Sequence, residues 1–194
     1  MIGNPRSKTR FLLATTGLAL SLAASGAVVG KANIRFKGTS TLHDFEGTVP
    51  ARPFSATVAA GATNGQMVVC ASTVLRVDAM TTEHKKRDKN MLNMLDQSNY
   101  AEISGSLTNA PISLTEKTAA TLHLKIRDVE QQVPVVLSDW TREGDLMSGL
   151  MSFPVSLKTF KLQAPTVMGI IRVGDTVDVE CTILIDLNHQ PAGD

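Results

Sequence analysis

The sequence has few aromatic residues and almost no excess of charge of either sign. Phe, Trp and Tyr make up 4% of the 194 residues, whereas apolar residues in total make up 43%. The core must therefore be mostly aliphatic. There are 19 Lys and Arg residues against 18 Asp and Glu residues, a formal net charge of +1. This balance lacks the basic excess typical of proteins that bind nucleic acids or anionic membranes, so no nucleic-acid partner is predicted.

Cysteine is equally scarce, since Cys70 and Cys181 are the two cysteines of the chain. Both lie in segments whose apolar and polar residues alternate, which is the pattern of half-buried strands. Cys70 falls between the apolar positions of its segment, whereas Cys181 belongs to the apolar set of its own. Side chains on opposite faces do not suit disulfide geometry unless a β-bulge shifts one register, so the pattern favours two unpaired thiols.

Sequence motifs for nucleophilic catalysis, phosphate binding and dinucleotide binding are missing from the chain. The histidines at positions 43, 84, 123 and 189 are not spaced as metal ligands, and neither cysteine lies near one. His84 and Asp88 share one face of a predicted helix. An acid–base pair is one interpretation of them, and the favoured one is an ion pair that anchors the helix, with Asp88 held by Arg87 or another nearby cation. We therefore predict no catalytic residues, no metal site, no cofactor and no enzymatic activity.

The N-terminal residues have the pattern of a secretory signal peptide. Arg6, Lys8 and Arg10 precede an apolar run from Phe11 to Ala24, and small residues follow it. The alternative is a membrane anchor, but the run is interrupted by polar residues and is short for a bilayer span of about 20 residues. Residues 1–27 are therefore predicted to be cleaved on export, which would leave a mature chain without an integral membrane span.

Most of the remaining chain alternates apolar and polar residues with a period of two. Clear examples lie at residues 34–37, 67–77, 122–127, 149–155 and 176–186. About eight such segments follow one another without the strand–helix rhythm of a parallel sheet, so the fold class is all-β and antiparallel. Such strands pack as a sandwich or close into a barrel. Long strands with a single apolar face favour the barrel, whose inward side chains either fill the centre or leave room for one ligand.

One stretch, residues 77–100, breaks this alternation and predicts a short helix. Thr82 is a suitable N-cap, and Met91 and Leu95 are spaced to lie on one helical face. Three cations, Lys85–Arg87, crowd the start of the helix, where positive charge is unfavourable. We therefore expect the helix to be stabilised by docking across the β-structure rather than by its own propensity.

The same stretch resembles a known family. T-x-x-H-x-x-R-D at Thr81–Asp88, then Met91-Leu92 and Tyr100-Ala101-Glu102-Ile103, is similar to the signature of the YceI-like polyisoprenoid-binding proteins. Phe153–Phe160 and Val173–Ile185 resemble the last strands of that family. Two departures are Ala101, where the family usually has Pro, and Gly105, where Phe is common.

The resemblance implies an extended lipocalin-like antiparallel β-barrel of about eight strands, here residues 31–188, with one short helix and an elongated apolar channel. It also implies a periplasmic or secreted protein whose partner is an isoprenoid lipid, either a polyprenyl chain or an isoprenoid quinone. The lipid or quinone would be held as a bound ligand. Either a monomer or a homo-oligomer is compatible with this resemblance.

Strand parity predicts which side chains would contact the lipid, with two helix residues covering it. An alternative hypothesis is a structural or stress-response interaction protein whose barrel is filled and binds no ligand. The methionines at 80, 91, 94, 147, 151 and 168 fit either hypothesis, because Met fills irregular cores and also lines adaptable apolar sites. The predicted lipid contacts are Phe36, Val69, Leu75, Met91, Leu95, Leu124, Ile126, Leu137, Met151, Phe153 and Val179.

Overall fold

The computed structural model describes residues 27–61, 66–164, 166–167 and 171–189. Residues 1–26 of the predicted signal peptide and Met168 lie outside this described part. One α-helix, α1 (Lys85–Met94), and ten strands are found within it. The strands are β1 (Ala27–Ser40), β2 (Phe45–Pro50), β3 (Phe54–Ala60), β4 (Gln66–Arg76), β5 (Glu102–Ser113), β6 (Thr118–Ile126), β7 (Val129–Glu143), β8 (Leu146–Ser156), β9 (Thr166–Val167) and β10 (Ile171–Asp186).

Eight strand positions close into an antiparallel barrel. Their order is β1, β3, β4, β5, β6, β7, β8 and β10, and β10 returns to pair with β1. Strands β2 and β3 share one position, because β3 pairs with residues 27–30 of β1 and β2 pairs with residues 33–38. The short β9 pairs with the start of β10. The predicted all-β, lipocalin-like barrel of about eight strands is confirmed.

The barrel begins earlier in the chain than the sequence pattern indicated. Ala27 already pairs with Thr57 of β3, and Val28 is buried in the core. The predicted domain start at Lys31 therefore falls inside β1 rather than before it.

Two strands carry irregularities that shift their inward face. In β5, Ile103 and Ile112 are both buried although an odd number of positions separates them, because the register shifts where Asn109 has a φ of 52°. In β7 the register shifts between Ser138 and Thr141, so Trp140 is buried on the same side as Leu137. The sequence pattern predicted a break at residues 109–111, but the structure continues β5 through it as a bulge.

The barrel interior is tightly packed at one end. Gly149 of β8 lies against the Trp140 ring, and a Cβ atom at this glycine would be 2.2 Å from Trp140 Cδ2. The next inward-facing residue of β8 is Met147, which pairs with Ile185 of β10, and both are almost completely buried. This end of the barrel is therefore filled, as the hypothesis of a barrel without a ligand predicted for the whole interior.

Helix α1 crosses the other end of the barrel between β4 and β5. Its N-cap is His84, whose Nδ1 accepts a hydrogen bond from the Arg87 N–H at 3.4 Å, and not Thr82 as predicted. The segment before the helix is tied to the barrel wall by β2, since Thr48 and Thr81 exchange two backbone hydrogen bonds of 2.8 and 3.0 Å. These two backbone hydrogen bonds attach the start of the helical segment to the barrel, in agreement with the predicted docking of the helix across the β-structure.

Candidate functional site

An apolar cavity of about 530 Å³ occupies the end of the barrel that α1 covers. Its walls come from several strands, with Leu75 on β4, Leu124 on β6, Phe153 on β8 and Val179 on β10. Each side chain points inward because alternate residues of a strand face the same side. The volume lies within the range of about 300–1,000 Å³ that is usual for small-ligand pockets.

Three methionines and one leucine form the cover of this cavity. Met91, Met94 and Leu95 come from the helix and its C-terminal end, and Met80 comes from the segment before it. Met91 and Leu95 are 9% and 4% exposed, so the structure confirms that this helical face packs inward. Unbranched Met side chains adapt to irregular surfaces at low cost. Met147 lies in the packed half instead, so the methionines divide between the two hypotheses rather than follow one.

A short loop after β1 forms one side of the cavity mouth. Ser40 Oγ donates to the His43 carbonyl oxygen at 2.6 Å and accepts from the His43 N–H at 3.2 Å, which closes a tight turn. Leu42 at the tip of this turn is 60% exposed although it lines the cavity. An exposed Leu at a mouth offers an apolar surface to a ligand that enters.

The first turn of α1 forms another part of the mouth and contributes the cations Lys86 and Arg87. His84, Lys86 and Arg87 line the cavity here, and the Arg87 guanidinium carbon lies 5.4 Å from the centre of the Phe45 ring. A cation at this distance over an aromatic face is attracted by the ring quadrupole. The site therefore combines an apolar interior with a polar, cationic rim, which suits an amphiphilic ligand.

Eight of the eleven predicted lipid contacts line this cavity, and three do not. Val69, Leu137 and Met151 are buried at 4%, 1% and 8% exposure, but they lie deeper in the barrel, outside the lining of this cavity. The alternation along a strand gives the face on which each residue lies but not its height along the barrel axis. This explains why three of the inward-facing residues lie outside the cavity. The eight that line it are Phe36, Leu75, Met91, Leu95, Leu124, Ile126, Phe153 and Val179.

Sequence reasoning missed several lining residues on β2 and at the start of β10. Phe45 and Val49 line the cavity from β2, and Val173 and Val177 line it from β10. The signal was present, because Phe45, Gly47 and Val49 alternate with polar residues. Gly47 also has a steric role, since a Cβ atom there would be 2.2 Å from the Phe36 ring.

Asp88 and His84 do not form an acid–base pair. The Asp88 carboxylate accepts hydrogen bonds from the Thr82 N–H (2.7 Å), the Thr82 hydroxyl (2.5 Å) and the Thr81 hydroxyl (3.0 Å). The Asp88 N–H donates to the His84 carbonyl oxygen at 2.9 Å as part of the helix, but within the described residues no hydrogen bond joins the two side chains. The predicted partner of Asp88 was Arg87 or another cation, but hydroxyl and amide donors hold this carboxylate instead.

Within ranges 27–61, 66–164, 166–167 and 171–189, no group of three His, Cys, Asp or Glu side chains is placed to hold a metal ion. Cys70 and Cys181 are free thiols, one half-buried on β4 and the other buried on β10. No helix in the same ranges is long and apolar enough to cross a membrane.

An antiparallel barrel with an apolar cavity under one helix defines a lipocalin-like class of protein. Within that class, the chain belongs to the YceI-like family, because the model of the YceI-like domain matches residues 24–185. None of the curated protein sequences is significantly similar to this chain.

Solved structures with the same fold come from distant proteins. BcnA of Burkholderia cenocepacia superposes with a TM-score of 0.62 at 14% identity, over 79% of this chain and 95% of BcnA. A polyisoprenoid-binding domain from Saccharophagus degradans, implicated in plant cell wall breakdown, gives 0.55 at 12% identity over 82% and 98%. The Campylobacter jejuni YceI protein gives 0.55 at 12% identity over 72% and 83%. At these identities the likeness concerns the fold.

Proposed function

We propose that this protein binds an isoprenoid lipid, a polyprenyl chain or an isoprenoid quinone, without a covalent bond and stores or transfers it. The observation that carries the proposal is the apolar cavity under the Met-rich cover of α1. Membership of the YceI-like family and the polyisoprenoid binding of the Saccharophagus degradans domain support this choice of ligand. The polar end of the lipid would lie at the cationic mouth.

Burial of the lipid tail would supply the driving force. Each CH₂ group removed from water contributes about 0.8 kcal/mol. Ordering the tail and the covering side chains offsets part of this gain. The isoprenoid tail has no hydrogen-bonding groups, so the apolar wall formed by Leu124, Phe153 and Val179 satisfies its requirements without buried polar partners.

A single substitution in the cover tests the site. Met91→Ala should lower the affinity for farnesol, a three-unit isoprenoid alcohol, about five- to ten-fold, because roughly one or two CH₂ equivalents of contact are lost. Leu92→Ala is the matched control, because Leu92 is half-buried on the same helix but does not line the cavity. Equal affinity of the wild type and Met91→Ala would contradict the proposed site.

A second candidate function follows from the packed end of the barrel, where Trp140 and Met147 fill the interior. In this hypothesis the protein is a structural or stress-response interaction protein without a ligand. Native mass spectrometry of protein purified from its own host separates the two. A bound lipid mass supports the first hypothesis, and a bare chain mass together with no uptake from lipid vesicles supports the second.

We further propose that the mature protein is periplasmic or secreted. The basic and apolar pattern of residues 6–27 supports export. The sequence pattern placed the end of the signal peptide at residue 27, but N-terminal sequencing of the mature protein should show a start at or shortly before Ala27, because β1 pairs with β3 from that residue on. A mature chain that retains Met1 would contradict export.

A further inference from the structure

The inner end of the cavity is closed by buried side chains, and this closure has a consequence for ligand choice. We propose that three residues, Leu137, Met151 and Cys181, form a floor that limits how much of a lipid tail the barrel can hold. The floor makes the protein selective for short isoprenoid chains. This inference rests on the proposed lipid-binding function and adds the chain length.

The strand register locates the floor. Phe153 of β8 pairs with Val179 of β10, and both line the cavity. Two residues further along each strand, on the same face, Met151 pairs with Cys181. These two are 8% and 3% exposed and do not line the cavity. The cavity therefore ends between these two successive inward-facing pairs.

Strands β7 and β4 also carry buried inward side chains beyond the cavity. Met151 also pairs with Leu137 of β7, which is 1% exposed. On β4, across the barrel, Leu75 lines the cavity, whereas Val69, on the same strand face and further from the helix, is buried at 4% exposure and does not. Buried side chains that do not line the cavity therefore lie on both sides of the barrel.

The space behind the floor is also filled. The next inward pair on β8 and β10 is Gly149 and Ile183. Trp140 occupies the volume left by the missing glycine side chain, with three ring atoms at 2.2–2.7 Å from the position that a Cβ atom would take. Beyond it, Met147 is 0% exposed. A tail that reached the floor would meet packed side chains and not a continuous channel.

The register also gives an approximate tail length. From Met151 to Leu157, the lining residue nearest the end of β8, the chain advances six residues, which is about 20 Å along a strand. A strand tilt of about 40° reduces this to about 15 Å along the barrel axis. An isoprene unit contributes four backbone bonds, about 5 Å when extended. The cavity should therefore hold about three isoprene units.

Uptake from a bilayer tests this limit directly. The purified protein is mixed with phosphatidylcholine vesicles that contain equal amounts of all-trans polyprenols of two to nine isoprene units, and the lipids bound to the protein are then extracted and quantified. A unit inside the cavity exchanges one apolar environment for another, whereas a unit that protrudes must enter water. Occupancy should therefore stay level up to about three units and then fall about ten-fold or more for each further unit.

Two variants move the limit in opposite directions, and a third is the control. Met151→Ala lowers the floor and should raise the bound ratio of four-unit to three-unit polyprenol at least three-fold. Val179→Phe fills the cavity above the floor and should lower that ratio, so the test does not depend on one variant folding. Met147→Ala makes the same Met-to-Ala truncation in the packed end, beyond Trp140, and should leave the ratio unchanged.

The outcomes separate this inference from the proposed function. Wild-type protein that takes up no polyprenol overturns lipid binding itself. Wild-type protein that binds polyprenols of four to nine units as well as those of three units leaves lipid binding intact and overturns the floor. A Met147→Ala variant that shifts the ratio as much as Met151→Ala would also overturn it, because the limit would then not lie at this level.

Discussion

Asp88 and Thr82 are joined twice: the Asp88 carboxylate accepts from the Thr82 N–H at 2.7 Å and from the Thr82 hydroxyl at 2.5 Å. Partial burial raises the pKa of Asp88, but the hydrogen bonds from Thr82 and Thr81 together outweigh it, and the pKa lies below its usual value. The first turn of the helix is thereby fastened to the segment that precedes it.

Removing this carboxylate should loosen the cover of the cavity. Asp88→Ala leaves the Thr82 N–H and two hydroxyl groups without their acceptor, and each lost hydrogen bond to a charged group costs about 1.5–3 kcal/mol. We expect faster amide hydrogen exchange across residues 82–95 with little change in the strands. Lys89→Ala, on the exposed side of the helix, is the control. Unchanged exchange in Asp88→Ala would contradict this role.

The same carboxylate should make the helix sensitive to acid. Because the folded-state pKa of Asp88 is lowered, its stabilising contribution is complete above the unfolded pKa of about 3.9 and is lost as the pH falls through the lower folded value. Hydrogen exchange across residues 82–95, corrected for its intrinsic pH dependence, should therefore show protection that declines below about pH 4. Asp88→Asn should remove this contribution to the decline.

Acidic substitutions on β6 should distinguish the cavity from the packed core. Leu122 and Leu124 face inward at 5% and 7% exposure, but of these two only Leu124 lines the cavity. Leu122→Asp buries a carboxylate among packed side chains and should cost several kcal/mol of unfolding free energy. Leu124→Asp should cost less, because the cavity can admit water to the charge.

Lys125→Asn, on the exposed face of the same strand, should change the unfolding free energy by about 0.5 kcal/mol or less. Urea denaturation measures all three variants. Equal losses for the inward and outward positions would mean that the assigned faces of β6 are wrong.

Packing at the filled end depends on one glycine. Gly149→Ala would place a Cβ atom 2.2 Å from the Trp140 ring, which is itself 4% exposed and cannot move freely. Overpacking of this kind should cost about 1–3 kcal/mol, measured by thermal or urea denaturation. Gly105→Ala is the matched control, because its nearest neighbour would be Leu122 Cδ1 at 3.4 Å. A neutral Gly149→Ala would show that the Trp140 ring has room to shift.

The two thiols should differ in reactivity. Burial raises the pKa of Cys181 to about 12, with a smaller contribution from the charge of Glu180. This thiol is therefore protonated and inaccessible at neutral pH. Iodoacetamide should label Cys70 first in the native protein and Cys181 only on unfolding, as peptide mass spectrometry would show. Equal labelling rates in the native state would contradict the burial of Cys181.

Much of the barrel follows from alternation alone. The inward positions of Leu124, Phe153 and Val179 were predicted from period two, and burial of an apolar face imposes that period whatever the tertiary details. Bulges were not predictable in this way, because the extra residue at Asn109 depends on its left-handed conformation and not on hydrophobicity. Trp140 enters the core through a similar register shift in β7.

The candidate site was predicted in its outline but not in its depth. Parity assigned Met151 to the interior correctly, but its position below the cavity and not in its lining depends on how β7, β8 and β10 are staggered around the barrel. The N-cap was assigned to Thr82 on residue type, whereas the structure uses Thr82 as a donor to Asp88. A hydroxyl side chain serves either role, and only tertiary geometry decides between them.

The pairing of β1 with β10 determines when this chain can finish folding. Val29 pairs with Asp186 and Phe36 with Val179, so the ring joins the first strand of the described chain to the last. Contacts between such distant residues form late and slow the folding reaction. Until β10 is available, β1 and β8 present unpaired edges that can recruit other chains. A nascent or truncated chain that ends before Ile171 should therefore aggregate rather than form a smaller, stable barrel.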